Sequence, residues 1–263
     1  MYEIIDAHCH IYPDKIADKA VQGIGNFYEM GMAYDGRLET LQRVNREAGV
    51  THSIIFSVAT TPHQVSSINH FIAENADNSG GTMTGLGALH PDSEDPEGDV
   101  RQILELGLKG VKLHPDVQKF AMDDARCMRL YELCEGRLPI LFHCGDTRYD
   151  FSNPNRLKRV LENFPRLQVI GAHFGGWSLW EEAARELCGY PNLVVDCSSA
   201  FPYLAPETAK RIIGLYSPER VLYASDFPMW HPKDNIEYLE RLGLRDEDYE
   251  NIFSKNARRV FGM

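Results

Sequence analysis

Two histidines flank a cysteine at the end of an apolar run, IIDAHCHIYP at residues 4–13. In a β-strand successive side chains alternate between faces, so strict alternation puts Asp6, His8 and His10 on one face and turns Cys9 away. Two imidazoles on one face can grip a metal ion, and groups suited to the same task recur along the chain. His90 stands in GALHPD, Lys112 and His114 in GVKLHPD, His143 in LFHCG, His173 in GAHFGG and Asp226 in ASDFP. A catalytic zinc takes about three His or carboxylate ligands and keeps a position open for water. His8, His10 and His143 can supply neutral imidazoles and Asp226 a carboxylate, which leaves His173 free as acid or base beside the ion.

Such a set needs elements that bring distant residues to one place. Short apolar runs at 2–11, 51–58, 82–90, 108–115, 138–145, 167–175, 192–199 and 220–227 read as strands, several apolar almost throughout. That is the pattern of a parallel sheet covered on both faces. Between them lie charged, periodic segments such as 38–49, 96–107, 123–136 and 155–165, each an amphipathic helix with Gly or Pro at its stop. Eight alternating units predict an α/β protein, a (β/α)8 TIM barrel forming a single domain over 1–263. The rival, an open doubly wound sheet, normally shows a Gly-rich phosphate turn after its first strand, where this chain has HCHIYPDK. In a barrel the chemistry sits at the strand C-termini, and six of the ten histidines fall there. Residues 12–36 form a long first connection rich in Gly, Tyr and Met, expected to be a loop beside the site.

Bulk properties narrow the partners. A formal net charge of −11 with no run of Lys or Arg argues against nucleic acid or an anionic membrane. The start, MYEIIDAHC, has neither a basic segment nor a long apolar one, so no secretory signal is expected. The six scattered cysteines form no CxxC and read as reduced thiols of a cytoplasmic protein.

Taken together, DAHCH at 6–10, GVKLHP at 110–115, FHCG at 142–145, GAHFGG at 171–176 and ASDFP at 224–228 resemble the amidohydrolase superfamily. The closing ENIFSKNARRVFG is similar to the last helix of its amidohydrolase-related branch, which also holds metal-dependent decarboxylases of aromatic or muconate-type acids. The resemblance covers essentially the whole chain. It implies His8, His10, His143 and Asp226 as metal ligands and His173 as the catalytic histidine, and in the hydrolytic mechanism expected of such a centre Asp226 or His173 accepts the proton of the metal-activated water.

The remaining rim residues carry two readings each. Lys112 can be a carbamylated bridge between two ions, a partner for a substrate carboxylate or a structural lysine. His114 and His90 precede Pro in identical LHPD turns, where substrate contact and turn stabilisation are both open. Arg148, just after the fifth strand, is a candidate carboxylate clamp. Trp177, Trp180, Phe201, Tyr203 and Trp230 either line a pocket or pack loops onto the barrel, and Asp196 either orients a ligand or ends its strand. The expected function is metal-dependent hydrolysis of an amide, lactone or ester by metal-activated water. A decarboxylase with the same ligands is the alternative, and a non-catalytic metal-stabilised protein ranks last. One divalent ion is expected, zinc first, with Mn²⁺, Co²⁺ or Fe²⁺ acceptable to the same donors. The expected partner is a small-molecule substrate, and a homodimer is left open.

Overall fold

The structure, a computed structural model, describes residues 2–263. Its strands are β1 (Ile5–His10), β2 (His52–Phe56), β3 in two pieces (Met83–Gly85 and Gly87–Ala88), β4 (Val111–Leu113), β5 (Ile140–Phe142), β6 (Val169–Gly171), β7 (Leu193–Asp196) and β8 (Val221–Leu222). All pair in parallel with their sequence neighbours. Between the pieces of β3, Leu86 N–H donates to Ile55 O and Gly87 N–H to Gly110 O, which passes the strand from β2 to β4. The ring closes where Ala7 N–H donates to Tyr223 O and His10 N–H to Phe227 O. Eight parallel strands closed on themselves, with helices between them, make a (β/α)8 barrel. Each expected strand segment contains an observed one, shortened because its last residues belong to the loops that carry the site.

The core has two strata. Ile5, Ala7, Ile54, Phe56, Leu86, Leu141, Ile170 and Leu222 fill the barrel, joined by Ala257 and Phe261 of the C-terminal helix. Cys9, Ile55, Val111, Phe142, Val169 and Val195 face outward onto the helices. The outer helices are α2 (Leu38–Ala48), α3 (Val65–Asp77), α4 (Pro96–Glu105), α5 (Ala125–Cys134), α6 (Pro154–Asn163), α7 (Trp180–Leu187), α8 (Pro206–Tyr216) and α9 (Pro232–Glu240). All six cysteines are unpaired, five of them buried. Among the described residues no helix is long and apolar enough to cross a membrane.

Two expectations need correction. The connection at 12–36 contains a 15-residue helix, α1 (Asp14–Tyr28). Ile16, Ala20, Ile24 and Phe27 recur at helical spacing, but Gly23 and Gly25 lower the intrinsic propensity and mask it. The second concerns strict alternation along β1. Asp6 pairs with Ser53 but Cys9 with Ile55, so Ala7 and His8 of β1 together oppose Ile54 of β2. This bulge changes the phase of the strand. Ile5 and Ala7 face the barrel interior before it, and Cys9 and Ile11 face the helices after it. His8 and His10 thereby turn inward without Asp6. The Asp6 carboxylate instead accepts the backbone N–H of His8 and of Ser225, clasping β1 to the end of β8.

Candidate metal centre and active site

His8 Nδ1–H donates to Asp196 Oδ2 at 2.8 Å, which fixes the tautomer and leaves the lone pair on Nε2. That Nε2 lies 3.2 Å from His10 Nε2 and 3.3 Å from Asp226 Oδ1. His10 Nε2 is 3.8 Å from the same oxygen, and His10 Nδ1 is buried without a partner. Burial lowers both imidazoles below their usual range, His10 strongly, so both rings favour the neutral form that ligates metals. The His8 Nε2 lone pair and the Asp226 oxygen thus face each other, an arrangement a cation relieves. Lys112 Nζ, 3.3 Å from His8 Nε2 and over the ring of Phe56, supplies part of that charge. Burial pushes its ammonium down to about 8. Two imidazoles and a carboxylate whose donor atoms all lie within 4.8 Å of one another suit a divalent ion.

A second group, His114, Asp116 and His143, is equally compact. Its two rings are stacked 4.0 Å apart and 6° from parallel, so their lone pairs run side by side and do not converge on one point. His143 Nε2–H donates to Gly145 O at 3.0 Å, and its Nδ1 accepts from His173 Nε2 at 3.0 Å. His173 Nδ1 in turn faces Ser198 O and Ser198 Oγ. His173 is thus held at both ring nitrogens, by His143 on one side and Ser198 on the other. Asp196 links the two halves: its other oxygen accepts the backbone N–H of His173 and of Ser198. Burial alone would raise this carboxyl, but His8 beside it, then His173 and the Ser198 hydroxyl, hold it well below the usual range. The structure therefore brings His8, His10 and Asp226 together and sets His143 beside His173, next to them.

Backbone strain marks the same rim. His173, Ser199 and Asp226 adopt positive φ of 59°, 50° and 63°. Such conformations cost on the order of 1 kcal/mol or more for a side chain with a Cβ and persist where surrounding structure enforces them. Ser199 Oγ donates to Asp226 Oδ2 at 2.5 Å and accepts from Trp230 Nε1, leaving Oδ1 to face the histidines. After β5, Gly145 has φ of 77°, and a Cβ there would lie 2.4 Å from Trp177 N. Only glycine lets that turn pass.

His8, His10, His114, His143, His173 and Asp226 share the wall of one cavity of about 690 Å³. The rest of its lining comes mainly from α1 and the β2–α3 segment. His114 stabilises its turn by accepting Val117 N–H at Nδ1, and its Nε2–H donates to Tyr28 Oη at 2.8 Å on the cavity wall. His90 caps its turn by accepting Asp92 N–H and lies off the cavity. Arg148 is already engaged. Its guanidinium grips Asp146 through Nε and Nη2, donates from Nη1 to Phe27 O and lies over the rings of Phe27, Tyr28 and Tyr149. Trp177, Trp180, Tyr203 and Trp230 pack against one another above the barrel and do not line the cavity. Sequence reasoning missed Tyr28. The signal available was the spacing of Ile24, Phe27 and Tyr28, which a helical reading of 14–28 would have aimed at the site.

Comparison with known proteins agrees with this architecture. No curated protein matches the chain. Among solved structures, a TIM-barrel protein of Bordetella bronchiseptica superposes with a TM-score of 0.81 at 21% identity, covering 99% of this chain and 98% of the other. The 5-carboxyvanillate decarboxylase of Sphingomonas paucimobilis gives 0.73 at 15% identity over the full length of both chains. A dihydroxybenzoic acid decarboxylase of a Polaromonas species, with bound manganese and an inhibitor, gives 0.75 at 16% identity, covering 100% and 97%. These likenesses show the fold. The amidohydrolase family model matches residues 5–263, from the first strand through the two histidines to the last helix, and on that match the chain belongs to the amidohydrolase family.

Proposed function

We propose that the chain is a metal-dependent hydrolase that cleaves an amide, lactone or ester of a small molecule at the C-terminal mouth of its barrel. The observation that carries this reading is the convergence of His8 Nε2, His10 Nε2 and Asp226 Oδ1 on one point of the cavity wall, with His173 on the same wall. His8, His10 and Asp226 would hold the ion, and His143 is the fourth candidate, its Nδ1 lone pair exchanging His173 for the metal. A divalent ion there supplies Lewis acidity, polarising a carbonyl and acidifying water. Zinc suits these donors, and manganese, bound in one of the similar decarboxylases, is accepted by the same ligand types.

The protein's own groups divide the proton chemistry. Asp226 Oδ2 is occupied by Ser199, so Oδ1 is the oxygen that takes a proton from attacking water. His173, steadied by Asp196 at its backbone and Ser198 at Nδ1, delivers a proton from Nε2 to the leaving group. Tyr28 Oη accepts from His114 and lies 3.3 Å from His143 Nε2, so it stands between the two rings at the cavity wall, within reach of a substrate oxygen. Lys112 balances charge behind His8.

The decarboxylase reading draws support from the activities of similar structures. It requires cations for a substrate carboxylate, and the geometry supplies few. Arg148 is held by Asp146, Lys112 does not line the cavity, and the one lysine that does, Lys19, lies nine residues before Tyr28 on α1, about 13 Å along the helix. Hydrolysis of an uncharged carbonyl fits this wall better. The unpaired thiols and acidic surface suit a reducing cytoplasm and a small-molecule partner, with the chain acting as one domain. A screen of lactones, amides, esters and unsaturated acids, recording acid and CO₂ release by protein of known metal content, tests the proposal. Acid release without CO₂ is expected. Stoichiometric CO₂ overturns hydrolysis in favour of the lyase, and activity undiminished by chelation overturns the metal.

A further inference from the structure

The cavity is far larger than the polar cluster at its base. At about 690 Å³ it has room for roughly twenty water-sized groups of about 30 Å³. Away from the histidines its wall is mainly apolar, with Ile24 and Phe27 of α1 on one side and Val58, Ile68 and Phe71 on the other, and Lys19, Thr60, Gln64 and Ser67 supply its polar part. The α1 face is unusual for this protein. Ile16, at its outer end, is 50% exposed, although most other large aliphatic side chains are buried in the two core strata. Apolar surface left open beside a reactive centre points to a ligand.

Two small residues shape that face. Ala20 and Gly23 both line the cavity, between Ile16 at the outer end and Phe27 next to the site. Gly23 lies inside the helix, where glycine is less favourable than alanine, and its backbone is not in the left-handed region. A Cβ added there meets no atom within 4 Å. Neither backbone conformation nor packing calls for a glycine. What its absent side chain leaves is open width in the channel.

We propose that the channel between α1 and α3 is a tail site: the substrate carries an extended apolar chain that leaves the reacting carbonyl at His8, His10 and Asp226 and lies along Ala20 and Gly23. Its chemical class is an amide or ester of a medium- to long-chain acyl group, and Gly23 sets the tail length the protein accepts. The occupant is a substrate tail and not a second copy of the chain, because the channel and the donor cluster form one continuous cavity. This inference rests on the metal-centre reading, and its test separates the two.

Zn²⁺-loaded and chelator-stripped protein are titrated with acetohydroxamate, hexanohydroxamate and decanohydroxamate, whose common head chelates metal. Affinity for the loaded protein is expected to rise about three- to fourfold per methylene while the tail lies in the channel. Gly23→Leu and Ala20→Leu flatten the ratio of decanohydroxamate to acetohydroxamate affinity, and Gly23→Ala, which favours the helix and so remains folded, lowers it less. Each ratio is read within one protein of confirmed metal content, so a general loss of folding does not imitate the result. Acetohydroxamate binding that ignores zinc overturns the metal centre and the tail site with it. Zinc-dependent binding that is flat in chain length in the wild type, or a wild-type ratio kept by both leucine variants, overturns the tail site alone. A dimer abolished by Ile16→Glu, with affinity flat in chain length, assigns the face to a second copy and likewise overturns it.

Discussion

Asp196 accepts hydrogen bonds from His8 Nδ1, from the backbone N–H groups of His173 and Ser198 and from the Ser198 hydroxyl, so one carboxylate orients both a candidate ligand and the candidate proton carrier. In Asp196→Asn the amide NH₂ must face one of these donors, and the His8 lone pair is no longer held toward Asp226. The expected outcome is a metal affinity about 10- to 100-fold weaker with an unchanged far-UV spectrum, read by competition with a chromophoric chelator. Wild-type affinity in that variant would remove Asp196 from the site. His173→Asn separates the two functions: metal content should stay near wild type while turnover falls about 10²- to 10⁴-fold, and loss of the metal would make His173 a ligand. At this scale the sequence was informative wherever a reactive side chain ended a strand, as at His8, His10, His143, His173 and Asp226. It was silent where the partner is remote. Tyr28 meets His114 and His143 across 86 and 115 residues, and no local pattern announces that.

Among the elements, α1 is the one whose attachment differs from the rest. It has one fully buried residue, Ala17, and its C-terminal end is held by Arg148, through Phe27 O and the rings of Phe27 and Tyr28. Arg148→Ala should therefore accelerate amide hydrogen exchange across Asp14–Tyr28 while exchange in the β5 and β6 strands stays slow. Equal protection of α1 in variant and wild type would show that the helix is held by its apolar face alone. The barrel itself was legible because doubly buried strands are short apolar runs and the helices between them keep their period. α1 was not, because a helix that walls a cavity mixes Ile, Ala and Gly along one face and lacks the continuous stripe of a core helix. The phase change in β1 was hidden for a related reason. A bulge is a property of pairing, in which two residues oppose one, and alternation along one strand contains no sign of it.

Over the whole molecule, the barrel interior divides into an apolar layer around Ile5, Phe56, Leu141 and Ile170 and a polar layer above it where imidazoles, Asp226 and Lys112 crowd together. The first layer is apolar and offers an ion no ligand. In the second, the lone pair of His8 Nε2 and the oxygen of Asp226 face each other beside His10, so a cation bound there is expected to stabilise it. An ion that binds the folded chain alone stabilises it by about 2.7 kcal/mol at a hundredfold excess over its dissociation constant. For a chain of this length each kcal/mol moves the melting temperature by about 2–4 °C. Stripping the metal should thus lower the melting temperature by roughly 5–10 °C without loss of helical signal at room temperature, and adding Zn²⁺ should restore it. The His8→Ala/His10→Ala double variant should melt at the same temperature with and without the ion, since two of the three converging donors are gone. Differential scanning calorimetry on the four samples decides the matter. Identical melting of stripped and reloaded wild type, or a full gain in the double variant, would place any bound metal somewhere other than the mouth of the barrel.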